Sequence, residues 1–151
     1  MSWKAHCSLP YRQEKMNSPE VLIVEDEAII AQDLRLSLKR LGYSVSAVVN
    51  SGLAAIEHAK ASPPDVVLMD LGLPGGMDGV QAAKHILEQT AVPLIFLTAH
   101  ADQATLERIN AVKPAGYVLK PYHQSELQTV LERVLGNHKK PNASSPSSPR
   151  Q

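Results

Sequence analysis

Five short apolar runs, separated by stretches of helical periodicity, constrain this chain more than any other feature. Four of them are almost continuously hydrophobic: Val21-Leu22-Ile23-Val24, Val66-Val67-Leu68-Met69, Pro93-Leu94-Ile95-Phe96-Leu97 and Tyr117-Val118-Leu119. The fifth, Tyr43 to Val49, alternates. A strand with one wet face alternates apolar and polar residues, whereas a strand covered on both faces does not. Between the runs, Ile30, Leu34, Leu38 and Leu41 fall at helical spacing within Ala28 to Leu41, and Gly42 stands where a helix C-cap belongs. A short helix is expected over Leu53 to Ala61, stopped by Pro63-Pro64. Asp78 suits the N-cap of a helix from Gly79 to about Glu88, and another is expected from Asp102 to about Val112. The last, Ser125 to Leu135, carries Leu127, Val130, Leu131 and Val134 on one face. Parallel strands need right-handed crossovers, so five strands alternating with five helices predict an α/β, doubly wound parallel sheet.

Length and charge narrow the function classes. The 151 residues suit one domain, long enough to bury about 70% of its unfolded surface. Fifteen basic residues balance fifteen acidic ones, so no general field attracts nucleic acid or an anionic membrane. No stretch after Leu135 can form a helix-turn-helix, and no direct nucleic-acid partner is expected. The single Cys7 excludes an intramolecular disulfide and fits a reducing cytosol. No apolar run approaches the roughly 20 residues of a membrane span, and the N-terminus lacks the apolar core of a secretory signal. A cytoplasmic protein is therefore expected. Residues 1–18, with Trp3, Pro10 and Tyr11, read as a flexible arm in which Met16 offers an alternative start. Residues 19–135 form the domain, and 136–151 read as a disordered Ser/Pro-rich tail or linker in which His138-Lys139-Lys140 is solvated.

Chemistry gathers at the ends of the runs. They close on Glu25-Asp26-Glu27, Asp70, Thr98-Ala99 and Lys120-Pro121. In an open parallel sheet, groups at the carboxyl ends of the strands converge on one crevice, where ligands bind. Carboxylates, a hydroxyl and a lysine brought together there can hold a divalent cation and a phosphoryl group.

Four segments carry a family likeness: Val21 to Glu27, Val67 to Pro74 with Met77-Asp78-Gly79, Leu97 to Ala99, and Gly116 to Pro121. Together they resemble the receiver domain of two-component response regulators, of the chemotaxis-regulator type, over Pro19 to Leu135. Each motif alone is weak, but four in order, each closing a strand, are specific. The resemblance implies a flavodoxin-like sheet of order 2-1-3-4-5, which the sequence pattern does not itself supply. It also implies a phosphoryl group accepted on Asp70 from a sensor histidine kinase or a phosphotransfer protein, since a carboxylate can form an acyl phosphate. Glu25, Asp26 and Asp70 would repel one another unless a cation neutralised them, and Mg2+ suits oxygen ligands. By resemblance Asp26 and Asp70 ligate directly, Glu25 acts through water, and the backbone carbonyl of Gly72 adds a ligand. Glu27 is expected to face solvent at the start of the first helix, where its charge suits the helix dipole.

The resemblance further implies that Lys120 pairs with Asp70 and then with the phosphoryl oxygens, followed by a proline that permits a cis bond. Thr98 and Tyr117 would form a switch pair, with small Ala99 leaving room at the phosphate. Phosphorylation would then bias two packings of the face made by the fourth helix, fifth strand and fifth helix, through which a homodimer or another partner can form. Kinase specificity is expected near Ile29, Ile30 and Asp33. Two features depart from the commoner pattern. The loop from Gly72 to Gly79 is one residue longer, and Gly72 with His100 occupies the two positions that govern access of water to an acyl phosphate. His58, His85 and His123 read as surface residues, and His100 is a poor Mg2+ ligand.

Three other readings compete. A phosphohydrolase or phosphotransferase of the haloacid-dehalogenase type needs a second acid two residues after the nucleophile, and that position is Gly72. A DNA-binding regulator lacks a basic face. A degenerate receiver acting as a phosphorylation-independent interaction module is the alternative retained. No substrate turnover is expected beyond self-phosphorylation and autodephosphorylation.

Overall fold

A computed structural model describes residues 18–139, so the expected arm through residue 17 and the tail from residue 140 lie outside the described residues. The chain runs β1 (Glu20–Val24), α1 (Ala28–Arg40), β2 (Ser44–Val49), α2 (Gly52–Ala61), β3 (Val66–Asp70), α3 (Gly79–Gln89), β4 (Leu94–Thr98), α4 (Gln103–Ala111), β5 (Gly116–Leu119) and α5 (Gln124–Lys139). All the strands pair in parallel, in the order β2-β1-β3-β4-β5. The expected doubly wound architecture and strand order are therefore those of the protein.

Strand parity divides the core into two layers, because successive side chains point to opposite faces. Leu22, Val24, Val67, Met69, Leu94 and Phe96 pack with residues of α2, α3 and α4. Val21, Ile23, Val66, Leu68, Ile95, Leu97 and Val118 pack with residues of α1 and α5. Every residue of β3 and β4 is buried, as continuous apolar runs require. The alternating run became the edge strand β2, half-buried along most of its length.

Local signals explain the helix ends. Gly42 takes φ +96°, with its N–H on the Lys39 carbonyl at 3.1 Å and the Tyr43 N–H on the Leu38 carbonyl at 2.9 Å. This is a left-handed C-terminal cap that a side chain at 42 would strain. Asp78 caps α3 through a capping box: its Oδ1 accepts from the Gln81 N–H at 2.9 Å, and Gln81 Oε1 accepts from the Asp78 N–H at 3.0 Å. Asp102 caps α4 by accepting from the Thr105 N–H at 3.1 Å.

Three expectations need correction. The last helix passes through Gly136 and continues to Lys139 instead of stopping at Leu135. One glycine costs a helix only about 1 kcal/mol, and buried Leu127, Leu131 and Leu135 anchor the turns before it. Ile30, placed by spacing on the inner face of α1, is 37% exposed, and Ala31 lies inside with Leu34 and Leu38. His58 is half-buried on α2, and its Nε2 is sealed from solvent without a hydrogen-bond partner. His85 and His123 are exposed, as expected.

Candidate functional site

The order of the strands builds the site. β3 lies between β1 and β4, and Asp70 is its last residue. Glu25 follows β1 directly and stays in register because its N–H donates to the Val49 carbonyl at 2.9 Å. Lys120 follows β5, and its N–H donates to the Thr98 carbonyl at 2.7 Å. Glu25, Asp70 and Lys120 continue the parity of Ile23, Leu68 and Val118, all of which face the α1/α5 layer. Alternation therefore carries three groups from three strands to one side of the crevice. Thr98 has the opposite parity, that of Phe96.

The distances are those of a charged cluster. Lys120 Nζ lies 2.9 Å from Asp70 Oδ1 and 3.6 Å from Glu25 Oε1. Carboxylate oxygens of Glu25, Asp26 and Asp70 all lie within 4.8 Å of one another. Glu25 and Asp70 are buried and Asp26 is exposed. The Lys120-Pro121 peptide bond is cis. Glu25 Oε2 accepts from the Glu27 N–H at 3.1 Å, whereas Oε1 is buried with no hydrogen bond. Glu27 itself is exposed at the N-cap of α1 and makes no side-chain cap, in keeping with its expected solvent position.

Electrostatics follow from this crowding. Burial pushes the Glu25 carboxyl above its ordinary value, and the charges of Asp70 and Asp26 add to the push. The Glu27 amide and Lys120 only partly offset it. Burial pulls Lys120 down, but its hydrogen bond to Asp70 and the charges of Asp70 and Glu25 outweigh that and hold the ammonium above its ordinary value. A buried carboxylate oxygen that accepts no hydrogen bond, beside two more acids, is a donor set that fits a hard cation, which takes oxygen ligands.

Thr98 is buried, and its hydroxyl closes a tight turn. Oγ1 accepts from the His100 N–H at 3.0 Å and donates to the His100 carbonyl at 3.2 Å. Tyr117 pairs with Phe96 and Leu119 with Thr98, so both β5 residues share the Thr98 face of the sheet. Tyr117 and Leu119 remain 39% and 41% exposed. Gly72 is exposed, and a methyl built on it meets nothing within 4 Å. Ile29, in the first turn of α1, is exposed.

The model of the response regulator receiver domain matches residues 21–132. This chain belongs to that family. Among curated proteins, the receiver is 35% identical over 115 residues to the transcriptional regulatory protein PdtaR of Mycobacterium tuberculosis, covering 76% of this chain and 56% of that protein. It is 34% identical over 118 residues to the phyllosphere-induced regulator PhyR of Methylorubrum extorquens, covering 77% of this chain and 43% of that one. The chain thus spans about half the length of the curated relatives it matches. Among solved structures, the receiver domain of a modulated diguanylate cyclase from Desulfovibrio desulfuricans superposes with a TM-score of 0.74 at 37% identity, covering 81% of this chain and 97% of that one. The receiver domain of a sensor histidine kinase from Pseudomonas aeruginosa gives 0.73 at 35% identity, covering 79% and 98%. That neighbour holds a magnesium ion coordinated in its active site cleft.

Of the residues singled out in the sequence, the side chains of Glu25, Asp26, Asp70 and Lys120 come together and Thr98 meets Lys120 through the backbone, while three supports escape sequence reasoning. Gln81 closes the capping box, and its signal was legible as Asp78-x-x-Gln81. Arg108 reaches Asp78 Oδ2 at 2.7 Å across thirty positions of sequence, which no local pattern announces. Gly79 lies against the backbone of Asp70 and Leu71, a contact visible only in three dimensions. Among the described residues, no helix is long and apolar enough to cross a membrane.

Proposed function

We propose that this receiver accepts a phosphoryl group on Asp70 in a Mg2+-dependent reaction. The observation that carries the reading is the Lys120 ammonium 2.9 Å from Asp70, inside a trio of carboxylates within 4.8 Å of one another. One Asp70 oxygen attacks phosphorus, and the bond to the donor breaks with its electron pair leaving on the donor, an imidazole nitrogen or a carboxylate oxygen. Lys120 then turns its charge from the carboxylate to the phosphoryl oxygens as negative charge develops there. Asp26 and Asp70 with the Gly72 carbonyl would hold Mg2+ directly, and Glu25 would do so through water. When bound, the ion offsets the charge of the acids and of the incoming phosphoryl group. Thr98 exchanges its turn with His100 for a phosphoryl oxygen, freeing space on the face where Tyr117 stands.

The phosphoryl donor is a sensor histidine kinase or a phosphotransfer protein docking beside exposed Ile29, with Ile30 and Asp33 tuning the match. The responding face is α4, β5 and α5, where exposed Tyr117 and Leu119 suit a second copy or another protein. The test is incubation with acetyl phosphate, with and without Mg2+, of the wild type and Asp70→Asn, with mass as the readout. One added phosphoryl group that requires Mg2+ and Asp70 is the expected result. No gain, where a control receiver is labelled, would sink the acceptor reading in favour of a phosphorylation-independent interaction module.

A further inference from the structure

Where the acceptor strand turns toward α3, one contact has no spare room. Gly79 is the buried first residue of α3, and its N–H donates to the Leu71 carbonyl at 3.2 Å. A methyl built on Gly79 strikes backbone only: the Asp70 carbonyl oxygen, Leu71 Cα at 2.9 Å and the Asp70 carbonyl carbon at 3.2 Å. None of these is the end of a flexible side chain that could swing aside. In the same loop, a methyl on Gly76 meets nothing within 4 Å. Gly52 is also crowded, but by side chains: Ala82 Cβ at 3.0 Å and Met77 Cγ and Sδ at 3.3 Å.

We infer that Gly79 is a positioning residue for Asp70. Its missing side chain lets the first turn of α3 set the height of the 70–71 peptide, and with it the place where the Asp70 carboxylate meets Lys120 and the acidic pair. The inference rests on Asp70 being the acceptor and a cation ligand. α3 cannot retreat cheaply from a larger residue. Asp78 pins its start through the capping box and Arg108, and Val80, Ala82, Ala83 and Ile86 bury its inner face. Carbon atoms rest at about 3.5–4.0 Å, so relief at Leu71 Cα alone needs a shift of about 0.6 Å. A misplacement of about 1 Å at a reacting group costs about a hundredfold in rate. The expected loss in Gly79→Ala is therefore on the order of ten- to a hundredfold.

The experiment compares the wild type with Gly79→Ala, Gly76→Ala and Gly52→Ala. It reads the labelling rate from acetyl phosphate at saturating Mg2+, and the affinity for Mg2+ alone from the amide shifts of Leu71 and Gly72. Gly79→Ala should lose ten- to a hundredfold in rate and bind Mg2+ several-fold more weakly, on the same order-of-magnitude argument. Gly76→Ala should stay within about twofold in both. Gly52→Ala, which presses on the first turn of α3 only through Ala82 Cβ and not on the acceptor peptide, should melt earlier and lose far less rate and Mg2+ affinity than Gly79→Ala. A folded Gly79→Ala that keeps the rate and Mg2+ affinity of the wild type overturns the inference. A wild type that binds Mg2+ but takes no label defeats the acceptor reading, and the Mg2+ affinities alone then decide on Gly79. The wild type also supplies a readout that needs no variant. The Gly79 amide should shift with the same Mg2+ midpoint as Leu71, and a Gly79 amide that stays still while Leu71 moves overturns the inference.

Discussion

Glu25 carries a cost that can be measured by removing its charge. In Glu25→Gln, the repulsion from Asp70 and Asp26 and the attraction to Lys120 disappear together. At an effective dielectric of about 20, unit charges within the 4.8 Å bound repel by at least about 3.5 kcal/mol, or about 0.9 in water. Buried Asp70 belongs near the first figure and exposed Asp26 near the second. Lys120, at 3.6 Å, returns about 4.6 kcal/mol on the same scale. The repulsion at least nearly matches the attraction to Lys120, so burial tips the balance against the charge. Buried Oε1 accepts no hydrogen bond, which costs about 1–3 kcal/mol, and a glutamine amide can donate to the neighbouring carboxylates instead. Glu25→Gln should therefore melt about 3–10 °C above the wild type in EDTA at neutral pH. It should also gain less on adding Mg2+, where a wild type at a hundred times its Kd gains about 2.7 kcal/mol. The pH dependence has a definite sign. The Glu25 carboxyl titrates higher in the folded protein than its ordinary 4.5, so its stabilising protonated form is complete below 4.5 and lost as pH rises through the folded value. The advantage of the variant should be full at neutral pH and vanish below 4.5. Differential scanning calorimetry across pH checks both. A variant that melts at or below the wild type in EDTA refutes the reasoning.

Asp78→Ala removes the cap of α3 and should cost about 1 kcal/mol or slightly more, read as a lower urea midpoint at unchanged slope. Asp78→Asn keeps the cap and loses only the exposed Arg108 pair, so a loss as large as that of Asp78→Ala would contradict the assignment. Burial raises the Asp78 carboxyl, but the Gln81 amide and Arg108 outweigh it and hold it below 3.8. Its contribution is therefore complete above 3.8 and lost as pH falls through the folded value. Gly72→Asn should lengthen the life of the aspartyl phosphate by shielding it from water, since nothing now occupies that space. An unchanged decay by mass or radiolabel would show that Gly72 does not control access. Phe96→Ala, at a fully buried site of β4, should cost about 3–5 kcal/mol, and a loss below about 1 kcal/mol would deny it a central place in the core.

The parts of the fold that the sequence announced are those fixed by short-range physics. Val66 to Met69 reads as a strand covered on both faces because it has no polar residue to show to water, and β3 is buried throughout. Gly42 and Asp78 mark helix ends because few residues tolerate a left-handed turn or cap an open N-terminus. The site was legible because Glu25, Asp70, Thr98 and Lys120 each close a strand, and parallel strands end on the same side. What stayed hidden is set across the layers. Arg108 meets Asp78 only when α4 lies beside α3, and Gly79 touches Asp70 only after the chain has folded back. Ile30 departs from its expected face because leucine-like spacing on α1 fits two adjacent stripes, and the sheet takes the one with Ala31. His58 departs from a surface position because close packing of α2 covers its ring nitrogen despite its polarity.

The burial of β3 on both faces has a mechanical consequence. Asp70 is fastened to the central strand of the sheet, with paired neighbours on each side and helices above and below. Rigidity then falls off laterally. β5 is an edge of four residues with Val118 alone buried, and α4 sinks a single residue, Ile109, completely. A load applied at the centre meets an anvil there, and the cheaper deformations lie at the two edges, β5 with α4 on one side and half-buried β2 on the other. The sheet is thus clamped along its middle and free at its two edges, so Asp70 keeps its place while β5 and α4 can shift without disturbing the strand that carries it.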